Sequence, residues 1–82
     1  MNLQILTPQA EVVRTEALSV SVPGVLGRMQ ILPGHTQIIS LLKAGVLAYE
    51  DLKGRHQWHV GAGHIEVVKD HVTVAVDSAL AS

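Results

Sequence analysis

Gly63-His64-Ile65-Glu66-Val67-Val68-Lys69-Asp70-His71-Val72-Thr73-Val74-Ala75-Val76-Asp77 consists of two alternating runs that meet at a short polar joint. Ile65 and Val67 alternate with His64, Glu66 and Val68, and Val72, Val74 and Val76 alternate with Thr73 and Ala75. A period of two sends one set of side chains to a buried face and the other set to the opposite face of a strand. The β-branched content suits a pleated surface and slightly disfavours a helix. With Lys69-Asp70 as the joint, the pattern predicts a hairpin over residues 63–77, in which Val68 pairs with His71 and His64 falls near Ala75.

The same alternation recurs outward from this stretch. Leu18, Val20 and Val22 alternate with Ala17, Ser19 and Ser21, which predicts a half-buried strand with the larger side chains inward. Val46–Glu50 and Arg55–Val60 flank Asp51-Leu52-Lys53-Gly54 and read as a second hairpin. Leu3 and Ile5 mark a first strand that stops at Pro8. Residues 36–43 are ambiguous, because Ile38-Ile39 and Leu41-Leu42 also fit a helical face; the β-branched residues and the bracketing Gly34 and Gly45 favour a strand. Breakers fall at Pro8, Pro23-Gly24, Gly27, Pro33-Gly34, Gly45, Gly54 and Gly61-Ala62-Gly63. Short strands at such intervals predict one all-β domain over residues 1–82, a sandwich or barrel without internal repeat or linker.

Composition limits what such a domain can do. In 82 residues there is no cysteine and no phenylalanine, and Trp58 and Tyr49 are the only Trp and Tyr. A chain this short buries roughly 60–65 % of its unfolded surface, so an aliphatic core gains from a partner surface. The formal net charge is −1 and the Lys and Arg residues are scattered, which argues against a nucleic-acid or anionic-lipid face. No apolar run approaches the ~18 residues of a membrane span. Met1-Asn2-Leu3-Gln4 lacks the basic start and apolar stretch of a signal peptide, so the chain is expected to stay in the compartment of its synthesis, without inserting into a membrane.

Five histidines raise the question of a metal. His56 and His59 are an odd number of residues apart, so on a strand they point to opposite faces. In the hairpin of 63–77, His64 and His71 sit at opposite ends. No HxxxH on a helix, EF-hand loop, GxSxG elbow or phosphate loop is present. Gly61-Ala62-Gly63 lies between two β-runs and reads as a bend or bulge, and Glu50-Asp51 reads as a solvated strand end. Neither metal nor cofactor nor reaction is expected, and the residues by themselves describe a β-sandwich binding or structural module. A free-standing ligand- or protein-binding sandwich stays open here, with Trp58 as its one aromatic platform.

Gly27-Arg28-Met29-Gln30-Ile31-Leu32-Pro33-Gly34-His35 resembles the GxxGxxPGH loop of ATP synthase epsilon subunits. Leu42-Lys43-Ala44-Gly45 is similar to the family's LKPG-type turn. Gly63-His64-Ile65-Glu66-Val67, then Val72-Thr73-Val74 and Asp77, resemble its GGxxEV…VTVLAD segment, and Leu3-Gln4-Ile5-Leu6-Thr7-Pro8 fits its opening strand. The motifs occur in family order over essentially the whole chain. The resemblance implies a flattened sandwich of two sheets with about ten short strands. It also implies a non-catalytic subunit of the rotor and central stalk, with no cofactor of its own, within the alpha/beta/gamma/delta/epsilon assembly. Such a subunit packs on the gamma subunit, touches the c-ring, and couples ion transport to ATP synthesis at the cytoplasmic face of the cell inner membrane.

Carried over by position, Arg28, Met29 and Gln30 occupy the c-ring-facing loop, and His35 and Ser40 match gamma-facing positions. For His35 the other reading is a turn residue capping backbone groups; for Ser40 it is a local hydrogen bond. Arg28 stands where an acidic residue is common, which implies a ring loop that is not locally basic. Gln30 replaces a usual Gly, so its backbone should avoid positive φ; Ala62 replaces the first Gly of the GG pair. Most family members continue into two C-terminal helices that inhibit hydrolysis and, in some, bind ATP, whereas this sequence stops at Ala79-Leu80-Ala81-Ser82. A chain complete at Ser82 is expected to lack that inhibition and the nucleotide site.

Overall fold

Strand follows strand along the chain because almost every segment between breakers alternates. The computed structural model describes residues 1–34 and 37–82. Within them lie β1 (Asn2–Leu6), β2 (Glu11–Glu16), β3 (Ser19–Gly24), β4 (Gly27–Ile31) and β5 (Ile38–Leu42). The second half supplies β6 (Gly45–Asp51), β7 (Gly54–Val60), β8 (Gly63–Val68), β9 (His71–Val76) and β10 (Ala79–Ala81). Both predicted hairpins are present. Val68 pairs with His71 and His64 with Ala75 in β8–β9, while β6–β7 runs from Gly45↔Val60 to Asp51↔Gly54. The ambiguous 36–43 segment is a strand over Ile38–Leu42.

The strands form two layers, β10-β7-β6-β3-β4 and β5-β8-β9-β1-β2, enclosing one core. The layers are also hydrogen-bonded to each other. β3 pairs with β6 as far as Ser21↔Ala48, then turns away and meets β5 at Gly24↔Leu42. Lys43 N–H to Pro23 O (2.9 Å) and Val25 N–H to Leu41 O (3.0 Å) extend that junction. The sandwich is thus one continuous ten-stranded network. β1 lies between β2 and β9, antiparallel to the first and parallel to the second.

Leu3, Ile5, Val20, Val22, Leu47, Ile65 and Val74 are wholly buried. Around them the core is aliphatic, with Tyr49 at its margin and Trp58 and Met29 packed against it. Val13 is buried and Val12 partly so beside the bulge in β2, which places both in or against the core. At Ala17-Leu18 the expected phase is reversed. Ala17 is buried and Leu18 is half exposed, because the strand begins only at Ser19 and the residues before it cross between layers.

The crossing end is held by a polar knot that the sequence reading did not foresee. Asp51 is not a freely solvated strand end. Its Oδ1 accepts from the Lys53 N–H (2.9 Å) and from His56 Nε2 (3.0 Å), and its Oδ2 accepts from Thr15 Oγ1 (3.1 Å) on the opposite layer. A carboxylate only accepts, so Nε2 carries the proton in this contact. The His56 ring stacks on Tyr49 with centroids 4.8 Å apart. Burial pushes the Asp51 carboxyl up, but the bonds from His56, Lys53 and Thr15 outweigh it and hold the group below its ordinary range. Glu11 is likewise held low by Arg14 and Gln4.

A depressed carboxylate contributes stability that is complete above its unfolded-state value, about 4, and lost as pH falls through its lower folded-state value. Asp51→Asn should therefore be less stable than the parent chain at neutral pH, with the difference shrinking on acidification below about pH 4. Urea midpoints measured from neutral to strongly acid pH check this. Parallel acid limbs for the two chains would remove Asp51 from the account.

Candidate partner-facing surfaces

The hairpin β3–β4 starts as a sequence consequence of Pro23-Gly24 and Gly27, with Val25 and Leu26 at its tip. At Gly24 a Cβ would stand 2.5 Å from Gly27 O and 3.2 Å from Met29 Sδ, so only glycine lets the returning strand fold back this closely. Leu26 is fully exposed and Val25 about half so, at 102 % and 52 %. Arg28, Met29 and Gln30, expected in a loop, instead lie within β4, opposite Pro23, Val22 and Ser21. Two-sided alternation in β4 is short and mixed, which is why its strand character was not legible.

The three residues differ in what they offer a partner. Met29 is half-buried and packs on the core. Gln30 is exposed, and among the described residues Lys69 is the one non-glycine with positive φ, so Gln30 has the ordinary backbone expected of it. Arg28 bonds through Nε to Ser21 Oγ (3.0 Å) and through Nη2 to Val46 O (2.6 Å).

His35 lies outside the described residues. Ser40 is opposite Ile65, which is wholly buried, and directly opposed residues share a face. Ser40 therefore turns inward and is half-buried. Its neighbours Ile39 and Leu41 point outward with 77 % and 67 % exposure. Sequence reasoning missed them because both phases of Ile38-Ile39-Ser40-Leu41-Leu42 contain aliphatic residues, so alternation cannot tell in from out.

The outer face of the β3-containing layer is polar, with exposed Gln30, Glu50, Arg55, Gln57 and His59, apart from Leu80 on its β10 edge. The outer face at β5–β8 carries Ile39, Leu41 and Val68.

The other candidates for chemistry are separated by the fold. His56 turns toward the core margin and His59 outward, as the odd spacing requires. Among the described residues no three His, Cys, Asp or Glu side chains gather as metal ligands would. Trp58 is half-buried against the core and offers no open platform. An open groove of about 390 Å³ lies among Leu6–Pro8, Ala62–His64 and Asp77, with mostly apolar walls.

Two hydrogen-bonded β layers around an aliphatic core define a small β-sandwich domain, with Ile39 and Leu41 exposed on β5. The chain belongs to the ATP synthase delta/epsilon chain β-sandwich domain family, whose model matches residues 1–82. It is 37 % identical over 79 residues to the ATP synthase epsilon chain of Solibacter usitatus, covering 96 % of this chain and 59 % of that one. To the epsilon chain of Desulfosudis oleivorans it is 39 % identical over 80 residues, covering 96 % and 60 %. The chain thus spans about three-fifths of the length of these curated relatives.

Among solved structures, a chain of the Euglena gracilis mitochondrial ATP synthase, described as OSCP/F1/c-ring in rotational state 1, superposes with a TM-score of 0.89 at 21 % identity. The overlap covers 96 % of this chain and 51 % of that one. A chain of the Tetrahymena thermophila mitochondrial ATP synthase central stalk and c-ring gives 0.80 at 12 % identity, covering 96 % and 64 %. At those identities the likeness speaks for the fold.

Proposed function

We propose that this chain acts as the sandwich domain of an epsilon-type, non-catalytic subunit in the central stalk of an ATP synthase. It binds gamma and the c-ring, turns with them, and couples ion translocation through the ring to ATP synthesis on the catalytic head. The β3–β4 hairpin carrying Arg28, Met29 and Gln30 faces the ring, and His35 and Ser40 are the positions that the family resemblance assigns to gamma. The working place is peripheral, on the cytoplasmic face of the inner membrane. The observation that carries this reading is the family match over residues 1–82, on a fold like that of chains in solved ATP synthases.

Affinity capture of the tagged chain from its native membranes, with mass spectrometry of what it retains, tests the reading. Gamma together with alpha, beta and c subunits is the expected result. Recovery of the chain with none of them would return it to an unassigned β-sandwich binding module.

A further inference from the structure

The Arg28 side chain lies across a seam in the sheet. β3 pairs with β6 only from Ser19↔Glu50 to Ser21↔Ala48, and then leaves it for β5 at Gly24↔Leu42. The carbonyl of Val46 lies beyond the last β3–β6 pair, and the Arg28 Nη2 donates to it at 2.6 Å. The Nε of the same guanidinium donates to Ser21 Oγ at 3.0 Å. One side chain on β4 thereby ties β4, β3 and β6 together where the ladder has opened. β4 otherwise pairs only with β3, and Pro23, opposite Arg28, has no N–H and gives its carbonyl to Lys43. A planar fork holds two acceptors in fixed donor directions; a lysine ammonium on a flexible stem has no such pre-set geometry.

We infer that Arg28 is a positioning residue, which fixes the angle of the β3–β4 hairpin on the sandwich and so presents its tip, Val25 and Leu26, to the ring as a pre-organised element. This rests on the rotor-subunit reading and refines it: Arg28 acts through the hairpin it braces, and the sign of its charge is not what the partner reads. An acidic residue at this position could not form the clasp, since a carboxylate only accepts and has no donor for the Val46 carbonyl. Pre-organisation matters because a hairpin that must be ordered on binding loses affinity to that ordering.

The test uses the full chain and its Arg28→Ala, Arg28→Lys and Ser21→Ala variants, titrated against a purified gamma–c-ring complex at low and high salt. Amide exchange is followed over residues 25–30 of each isolated chain. Arg28→Ala and Arg28→Lys should both weaken binding about tenfold at either salt, with Ser21→Ala in between, because the loss is one of hairpin order rather than of charge. The same two variants should exchange faster over 25–30 while unfolding at nearly the parent's urea midpoint.

Parent-like binding by Arg28→Lys, together with an Arg28→Ala defect that disappears at high salt, would make Arg28 a direct charge contact and overturn the inference. Unchanged exchange over 25–30 in Arg28→Ala would overturn it as well, whatever the binding. If the parent chain itself fails to bind, the rotor reading falls, and the exchange measurement still decides whether the clasp exists.

Discussion

Gly63→Ala is expected to destabilise the domain by about 3 kcal/mol or more, a large share of the stability a small domain holds. Gly63 opens β8 and is paired on both sides, with Leu42 of β5 and Val76 of β9. A Cβ there would drive into the carbonyl oxygen of Ala75 and come within 2.7 Å of Val76 Cα and 2.8 Å of Ala75 C. These are backbone atoms of a neighbouring strand and cannot rotate aside. Relief requires β8 and β9 to part where the layers also meet through Leu42.

Gly61→Ala is the informative control. The atoms its Cβ would meet belong to the Asp77 carboxylate and the Ser78 hydroxyl, both on exposed side chains that can turn away. Its cost should stay below about 1 kcal/mol. Guanidinium unfolding of the two variants checks the pair, and equal midpoints would mean that the β8–β9 approach is not the constraint described here.

Ile65→Ala should cost about 3–4 kcal/mol, within the range for deleting a large aliphatic side chain from a rigid core. Ile65 has no exposed surface and sits between Ser40 and Val74 in register. The core cluster it belongs to is mostly Val, Leu and Ile, side chains with few torsions through which to refill the space. A small domain holds only ~5–10 kcal/mol in all, so the melting temperature should fall by roughly 15–25 °C. Val68→Ala, on the same strand but 37 % exposed, should shift it by only a few degrees. Calorimetry on both variants separates burial from strand propensity, since each loses a β-branched residue from β8 and only one leaves a cavity. Similar shifts would assign the effect to propensity.

Much of the fold was legible because it is local. The β8–β9 and β6–β7 hairpins follow from alternation on either side of a turn, and the register Val68↔His71 follows from the two-residue joint. The motif-bearing segments were equally readable, and the family they indicate is the family to which the chain belongs. The site was less so. Arg28–Gln30 were placed in a loop and lie in a strand; Ser40 turned inward while Ile39 and Leu41, in the same strand, turned out. Asp51 looked solvated and proved to be the acceptor of an inter-layer knot.

By itself, then, the sequence determined that this protein is a succession of short strands with an aliphatic inner face, since period-two alternation and breakers act between residues close in the chain. Only the tertiary structure decided that β1 lies parallel to β9, that β3 deserts β6 for β5 at Gly24, and that Arg28 closes the gap so left. Those outcomes depend on which strands meet across long stretches of chain, and edges with similar aliphatic patterns compete for the same neighbours until the whole core is packed.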